Sequence, residues 1–224
     1  MRALEPFNET FRGPINNLLK RDLSTLILAD AINLTGAETK QALTWLESGG
    51  VLLRFAGPGL GRTDPSLMPV KLRNTGRALG GTMSWSKPAK LMPFHSTSPF
   101  AGLEIPPDIR IKKQILAEPT QNLRERTWAR LSDGTPLVTA KQVGEGWLVL
   151  VHVTANTAWS NLPISGLFIK MLNRIIALSR GMETKTGDLI YPPLQTMDGF
   201  GVLGAPPPQA ISISGKTYSN LKTS

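Results

Sequence analysis

The sequence predicts an α/β domain with a parallel sheet and an antiparallel, β-rich insertion or extension. Three observations carry that reading. Residues 23–30 (LSTLILAD) and 51–56 (VLLRFA) are short apolar runs, the pattern of strands buried on both faces. Between them, Ala42, Leu43 and Leu46 recur at helical spacing. From residue 69 to 153 the helical pattern gives way to short β-like pieces separated by proline and glycine turns.

Each element has its own signal. Residues 12–20 read as a helix with Pro14 in its first turn and Ile15, Leu18 and Leu19 facing inward. A sheet of this class normally has a strand before such a helix, and none is visible. After the first strand, Thr35 and Glu38 form a capping-box pattern, so a helix is expected over 38–48, stopped by Gly49-Gly50. Strand, helix and strand in succession make a βαβ unit with a right-handed crossover and parallel strands. Strand pieces follow at 70–72, 79–85, 109–117, 128–131, 136–142 and 146–153, with hairpin signals at Asp133-Gly134 and Gly144-Glu145-Gly146. A helix starting at Pro163 buries Leu167, Phe168, Met171, Leu172, Ile175, Ile176 and Leu178, and ends at Gly181. Lys170, Arg174 and Arg180 take its other side. Residues 182–224 are rich in Pro, Gly and Ser and read as a linker or a surface-laid tail, leaving 1–181 as the domain.

Composition narrows the function. With 224 residues, 41% hydrophobic and 18% charged, the chain can bury a substantial core. A net charge of +9 raises the question of an anionic partner. Nucleic-acid binders concentrate their cations, whereas here no basic run exceeds two residues, at Lys20-Arg21 and Lys112-Lys113. Aromatics at 6% also argue against a base-stacking surface. A dispersed, solvated basic surface is the better reading, and an anion- or nucleic-acid-binding module is an alternative. The absence of cysteine excludes disulfides, thiolate metal sites and cysteine nucleophiles. No apolar stretch reaches the 18 or so residues of a membrane span, and residues 1–11 lack a signal core. Any anchoring segment is therefore expected outside this chain.

Four constellations invite chemistry. The 57–61 loop (GPGLG) could bring backbone amides to a phosphate, but no Lys-Ser/Thr pair follows it and Pro58 removes a donor, so a structural turn is favoured. His95 and His152 lie far apart with no metal-ligand spacing around them, and His152 sits in an apolar strand. Serine, histidine and aspartate all occur, but the exposed elbow G-x-S-x-G does not. Trp85, Trp128, Trp147 and Trp159 could line a groove, although tryptophans at strand ends more often pack.

Several stretches together carry a resemblance: 26–30 (LILAD) with 42–57 (ALTWLESGGVLLRFAG), 81–85 (GTMSW), 149–156 (VLVHVTAN) with 159–168 (WSNLPISGLF), and 194–201 (LQTMDGFG). They resemble the central region of bacterial membrane proteins that carry an N-terminal aerotolerance-type double-transmembrane region and a C-terminal domain of unknown function. That region is similar to class I glutamine amidotransferases, which implies a flavodoxin-like sheet. Such enzymes use a cysteine nucleophile and a His-x-Glu. This chain has no cysteine, and Thr154 stands where the Glu after His152 would be. The resemblance thus implies a scaffold without amide hydrolysis, associated with a membrane through segments outside this chain, on either the cytoplasmic or the periplasmic side. The partner it implies is a protein or the remainder of a larger membrane protein.

The expected function is non-catalytic binding or scaffolding, with a hydrolase of unrecognised type as the alternative enzyme reading. Open α/β sheets bind at the carboxyl edge of their parallel strands. Asp30, Arg54, Gly57, Gly59, Gly61 and Arg62 are expected there, with Asn156 and Trp159 as neighbours. No catalytic residue, cofactor or metal is expected.

Overall fold

Helix α1 (Ile15–Leu18) is followed by strand β1 (Thr25–Leu28), helix α2 (Gly36–Glu47) and strand β2 (Val51–Phe55). The computed structural model describes residues 10–30, 32–60, 64–73 and 82–179, and beyond them 190–191, 196–197, 203–204 and 213–214. Helix α2 begins where Thr35 accepts from the Glu38 amide (3.3 Å) and Glu38 accepts from the Thr35 amide (2.9 Å), a reciprocal cap that satisfies two end donors. Helix α1 is shorter than the 12–20 expectation. It is a single turn, because Pro14 is extended (φ −58°, ψ 143°) and the helix starts only after it.

Strands β3 (Thr82–Ala89), β4 (Ile111–Ile115), β5 (Thr127–Arg130), β6 (Pro136–Val143) and β7 (Gly146–Val151) precede helix α3 (Gly166–Ser179). The main sheet has the order β1-β2-β7-β6-β5. Strand β2 pairs parallel with β1 and with β7, whereas β6 runs antiparallel to both β7 and β5. This corrects the expected flavodoxin-like parallel sheet. Only β1, β2 and β7 are parallel, because β7 reaches the centre as the second arm of a tight hairpin and its partner β6 must run the opposite way. Among the described residues the 70–72 piece makes one bridge, Leu72 to Ala117. Strands β3 and β4 form a separate antiparallel ribbon. It is tied to the main sheet's end by Ile115 N donating to His152 O (3.0 Å) and Lys112 N donating to Trp159 O (2.7 Å).

The β6–β7 turn is fastened to the end of α2 through backbone alone. Glu145 N donates to Glu47 O and Trp147 N to Gly50 O, each at 3.0 Å. A Cβ on Gly146 would land on the carbonyl oxygens of Leu46 and Gly50, and Gly144 turns with φ +58°. No other residue type allows that approach.

Helices cover both faces of the parallel strands. Ala42 and Leu46 of α2 pack with Ile15, Leu26, Leu28, Leu52 and Leu148. Phe168, Leu172 and Ile175 of α3 pack with Val51, Leu53, Phe55, Val149 and Val151. Strand β2 is consequently buried along its whole length. Leu52 and Leu53, on opposite faces, each stabilise the fold by about 1.5–3 kcal/mol relative to exposure. Helix α3 starts three residues after Pro163. Pro163 belongs to a separate turn (Leu162–Ile164), and Ser165 is the cap, accepting from the Phe168 amide at 3.3 Å.

Contacts divide the chain into residues 1–181 and 182–224. In the second unit, β8 (Ile190–Tyr191) pairs antiparallel with β11 (Ile213–Ser214), and β9 (Thr196–Met197) with β10 (Leu203–Gly204).

Candidate functional site

At the carboxyl ends of β1, β2 and β7 the chain leaves a cleft of about 530 Å³. Its floor is apolar, built from Ile27 and Phe55 of the sheet and Phe168 and Leu172 of α3. The rings of Phe55 and Phe168 lie 5.9 Å apart. Phe11, Arg12, Gly13 and Leu18 form one wall, and Thr154, Ala155 and Asn156, in the loop after β7, form another. Asp30, two residues past β1, lies on the rim beside Ile32 and Pro58. Asp30 and Asn156 therefore meet at one site although 126 positions separate them (156 less 30).

The polar groups of the cleft are held from behind. Asp30 accepts from the Gly59 amide through Oδ2 at 3.2 Å. A Cβ on Gly57 would sit inside the Asp30 side chain, so glycine is required there by close approach. The glycine-rich loop is thus folded around a carboxylate of its own chain, the structural role favoured over phosphate binding. Asn156 Oδ1 accepts from the Ala158 amide at 3.0 Å, which turns its NH₂ group away from that bond, and the Asn156 carbonyl accepts from the Thr154 hydroxyl at 3.3 Å. Gly61 and Arg62 lie outside the described residues.

Two expected site residues are placed elsewhere. Arg54 alternates onto the face of Leu52, toward α2, and is 1% exposed. Its Nη2 donates to the Ile32 carbonyl at 3.4 Å, and its Nε has no partner. Burial pulls the guanidinium below its ordinary pKa, opposed by the charge of Asp30. Arg54 therefore supports the Asp30 rim from beneath without lining the cleft. Trp159 is buried, and its carbonyl accepts from the amides of Lys112 (2.7 Å) and Lys113 (3.2 Å). It anchors the β3–β4 ribbon.

The remaining candidates are also structural. His152 is fully buried, with Nδ1 2.7 Å from the Ile115 carbonyl and Nε2 3.0 Å from the Thr139 hydroxyl. A carbonyl only accepts, so Nδ1 carries the proton and Nε2 accepts from Thr139. Burial lowers this histidine to a pKa of about 4. His95, in an exposed loop, bonds its own neighbour Thr97 (2.8 Å). The Trp128 and Trp147 rings pack 5.1 Å apart at a tilt of 53°, and Trp128 also meets Phe100 edge-on at 6.0 Å. Among the described residues no cluster of three His, Asp or Glu side chains could hold a metal, and no helix is long and apolar enough to cross a membrane.

Sequence reasoning missed the wall from Phe11 to Gly13 and the hydroxyl of Thr154. Nothing local ties residues 11–13 to β1. At the position two after His152 the sequence signals only the absence of a glutamate.

No protein-family model and no curated protein matches the sequence. In fold, the chain is similar to a cytoplasmic protein from Salmonella typhimurium, at 9% identity and a TM-score of 0.56, over 75% of each chain. It is also similar to a second cytoplasmic protein, from Salmonella typhimurium LT2, at 11% identity and a TM-score of 0.50, over 78% of this chain and 76% of that one. A β-galactosidase from Rahnella sp. R3 matches at 12% identity and a TM-score of 0.48, over 75% of this chain and 25% of that one. The first two likenesses lead to cytoplasmic proteins rather than to a class I amidotransferase. Together with the mixed sheet they overturn the expected amidotransferase-like fold.

Proposed function

We propose that the chain is a non-catalytic binding and scaffolding module that seats an apolar group of a ligand or partner in the cleft. The observation that carries this reading is the cleft itself. It has an apolar floor of Ile27, Phe55, Phe168 and Leu172, a few polar groups at one side, and a volume in the range of ligand sites. The chemistry of the neighbouring groups supports it. Asp30 is engaged with Gly59, and His152 spends both ring nitrogens in the core. The resemblance of residues 26–30, 42–57, 149–156 and 159–168 to the central region of bacterial membrane proteins supports a place within such a larger protein, reached through segments outside this chain.

The test uses the fluorophore 8-anilinonaphthalene sulfonate, which brightens in apolar sites. Ala155 is exposed and lines the cleft, so Ala155→Trp should fill it without disturbing the core. Folded wild-type protein should enhance the fluorescence saturably, and the variant should lose most of that signal. Equal enhancement by the two proteins would sink the proposal.

A further inference from the structure

Strand β1 is the outermost strand of the main sheet, and no strand among the described residues covers its free side. Ser24 O accepts from Val51 N at 3.0 Å, so Ser24, Leu26 and Leu28 turn their backbone groups toward β2. By the alternation of a parallel ladder, Thr25 and Ile27 turn theirs outward. Neither has an outward backbone hydrogen bond among the described residues. The strand reads TLIL and carries no charge, proline or bulge, the usual guards of an exposed edge. The cleft begins on this edge, since Ile27 is part of its floor. Phe11 (39% exposed) and Ile32 (42%), both large apolar side chains left in solvent, also line it.

We propose that the β1 edge and the cleft together receive an extended polypeptide segment of a partner protein, added as a sixth, antiparallel strand. This rests on the reading of the cleft as a binding site. Unpaired amides and carbonyls in a row are a template for another strand, and the adjoining apolar floor takes its alternate side chains. Charge sets the direction. Exposed Lys20, Arg21 and Asp22 precede β1 and leave that end with a net positive charge, and Asp30 follows it. An antiparallel segment lays its amino end, or a basic residue, beside Asp30 and an acidic end beside Lys20 and Arg21. A parallel one would set like charges together. The four residues of β1 span about 13 Å, at roughly 3.3 Å each, so a short segment suffices.

The test is selection of random dodecapeptides displayed on phage against the whole chain. Enriched peptides should alternate apolar residues, with a basic residue toward their amino end. Thr25→Pro deletes an outward amide and leaves the β1–β2 ladder intact, since proline is tolerated where the N–H faces solvent. It should weaken peptide binding by at least about tenfold. Methylating the backbone nitrogens along one edge of the selected peptide should do the same on wild-type protein, independently of how the variant folds. No enrichment over an unrelated protein, or binding unchanged by both modifications, overturns the proposal. So does a dimer in sedimentation that Thr25→Pro abolishes, which would make a second copy the occupant. Thr25→Pro should keep the fluorophore signal. Absence of peptide binding to a wild-type protein that still enhances the fluorophore would refute strand addition alone, whereas a signal insensitive to Ala155→Trp refutes the cleft itself.

Discussion

Acidification should destabilise this protein through one buried imidazole. His152 has no solvent exposure, and its two partners, the Ile115 carbonyl and the Thr139 hydroxyl, are neutral. Protonation would place a charge among them without a counter-charge. The unfolded chain takes up this proton near pH 6.5 and the folded one only near 4. Between those values the unfolded state holds more protons, so stability falls as pH falls. The contribution is whole above pH 6.5 and gone below about 4. At about 1.4 kcal/mol per unit, that window is worth on the order of 3 kcal/mol. Urea denaturation at pH values from about 7 down to 4.5, for wild type and His152→Gln, measures it. Hydrogen bonds from Thr35 and Ser66 hold the Glu38 and Asp64 carboxyls below 4.5 and 3.8, so their losses enter only at the acid end of this window and are common to both proteins. Wild type should lose stability across the window while the variant, less stable at neutral pH, changes far less. Parallel pH profiles for the two proteins would refute the reasoning.

Other substitutions test the core and the rim. Phe168→Ala removes a ring that is 7% exposed and packed on Phe55, and should cost about 3–5 kcal/mol in chemical denaturation; a loss under about 1 kcal/mol would mean that α3 is not a principal core element. Arg54→Met should be nearly neutral, within about 1 kcal/mol, because it replaces a buried charge with an orphaned Nε by an apolar chain of similar length. Asp30→Ala should cost more, about 2 kcal/mol, since it strips the Gly59 amide of its acceptor and leaves Arg54 without its opposing charge. The reverse order in denaturation would disprove this account of the rim.

What was legible in the sequence was local. Helix α2 is announced by Thr35 and Glu38, three positions apart, and β2 by an unbroken apolar run. The sheet was not legible, because the partner that fixes its character lies far away. Val51 pairs with Trp147, and no local pattern says that Trp147 arrives on a hairpin. The start of α3 was misread for the opposite reason. Pro163 gives a strong local signal, but Ser165 holds the cap. At the site, the carboxyl-edge rule led to Asp30 and Asn156, which do line one cleft. Arg54 shares their level but not their face, since neighbouring residues of a strand point oppositely. Asp30, beyond the strand's end, escapes that alternation.

The clasp between the β6–β7 turn and the end of α2 has a kinetic consequence. The hairpin closes across the two-residue turn between Val143 and Gly146, whereas β2 meets β7 only after the chain between them has looped back. Closing the longer loop costs more chain entropy before any contact rewards it, so the hairpin assembles ahead of the β2–β7 pair. Until then two apolar strands, VLLRF and GWLVLV, wait without each other. The glycines at 144 and 146 let the turn close on the end of α2 beside that pair, where a Cβ would collide with the backbone of Glu47, Leu46 or Gly50. A side chain at either should slow and weaken that meeting and keep both apolar edges open to neighbouring molecules for longer, so these positions bear on aggregation during folding as well as on the finished turn.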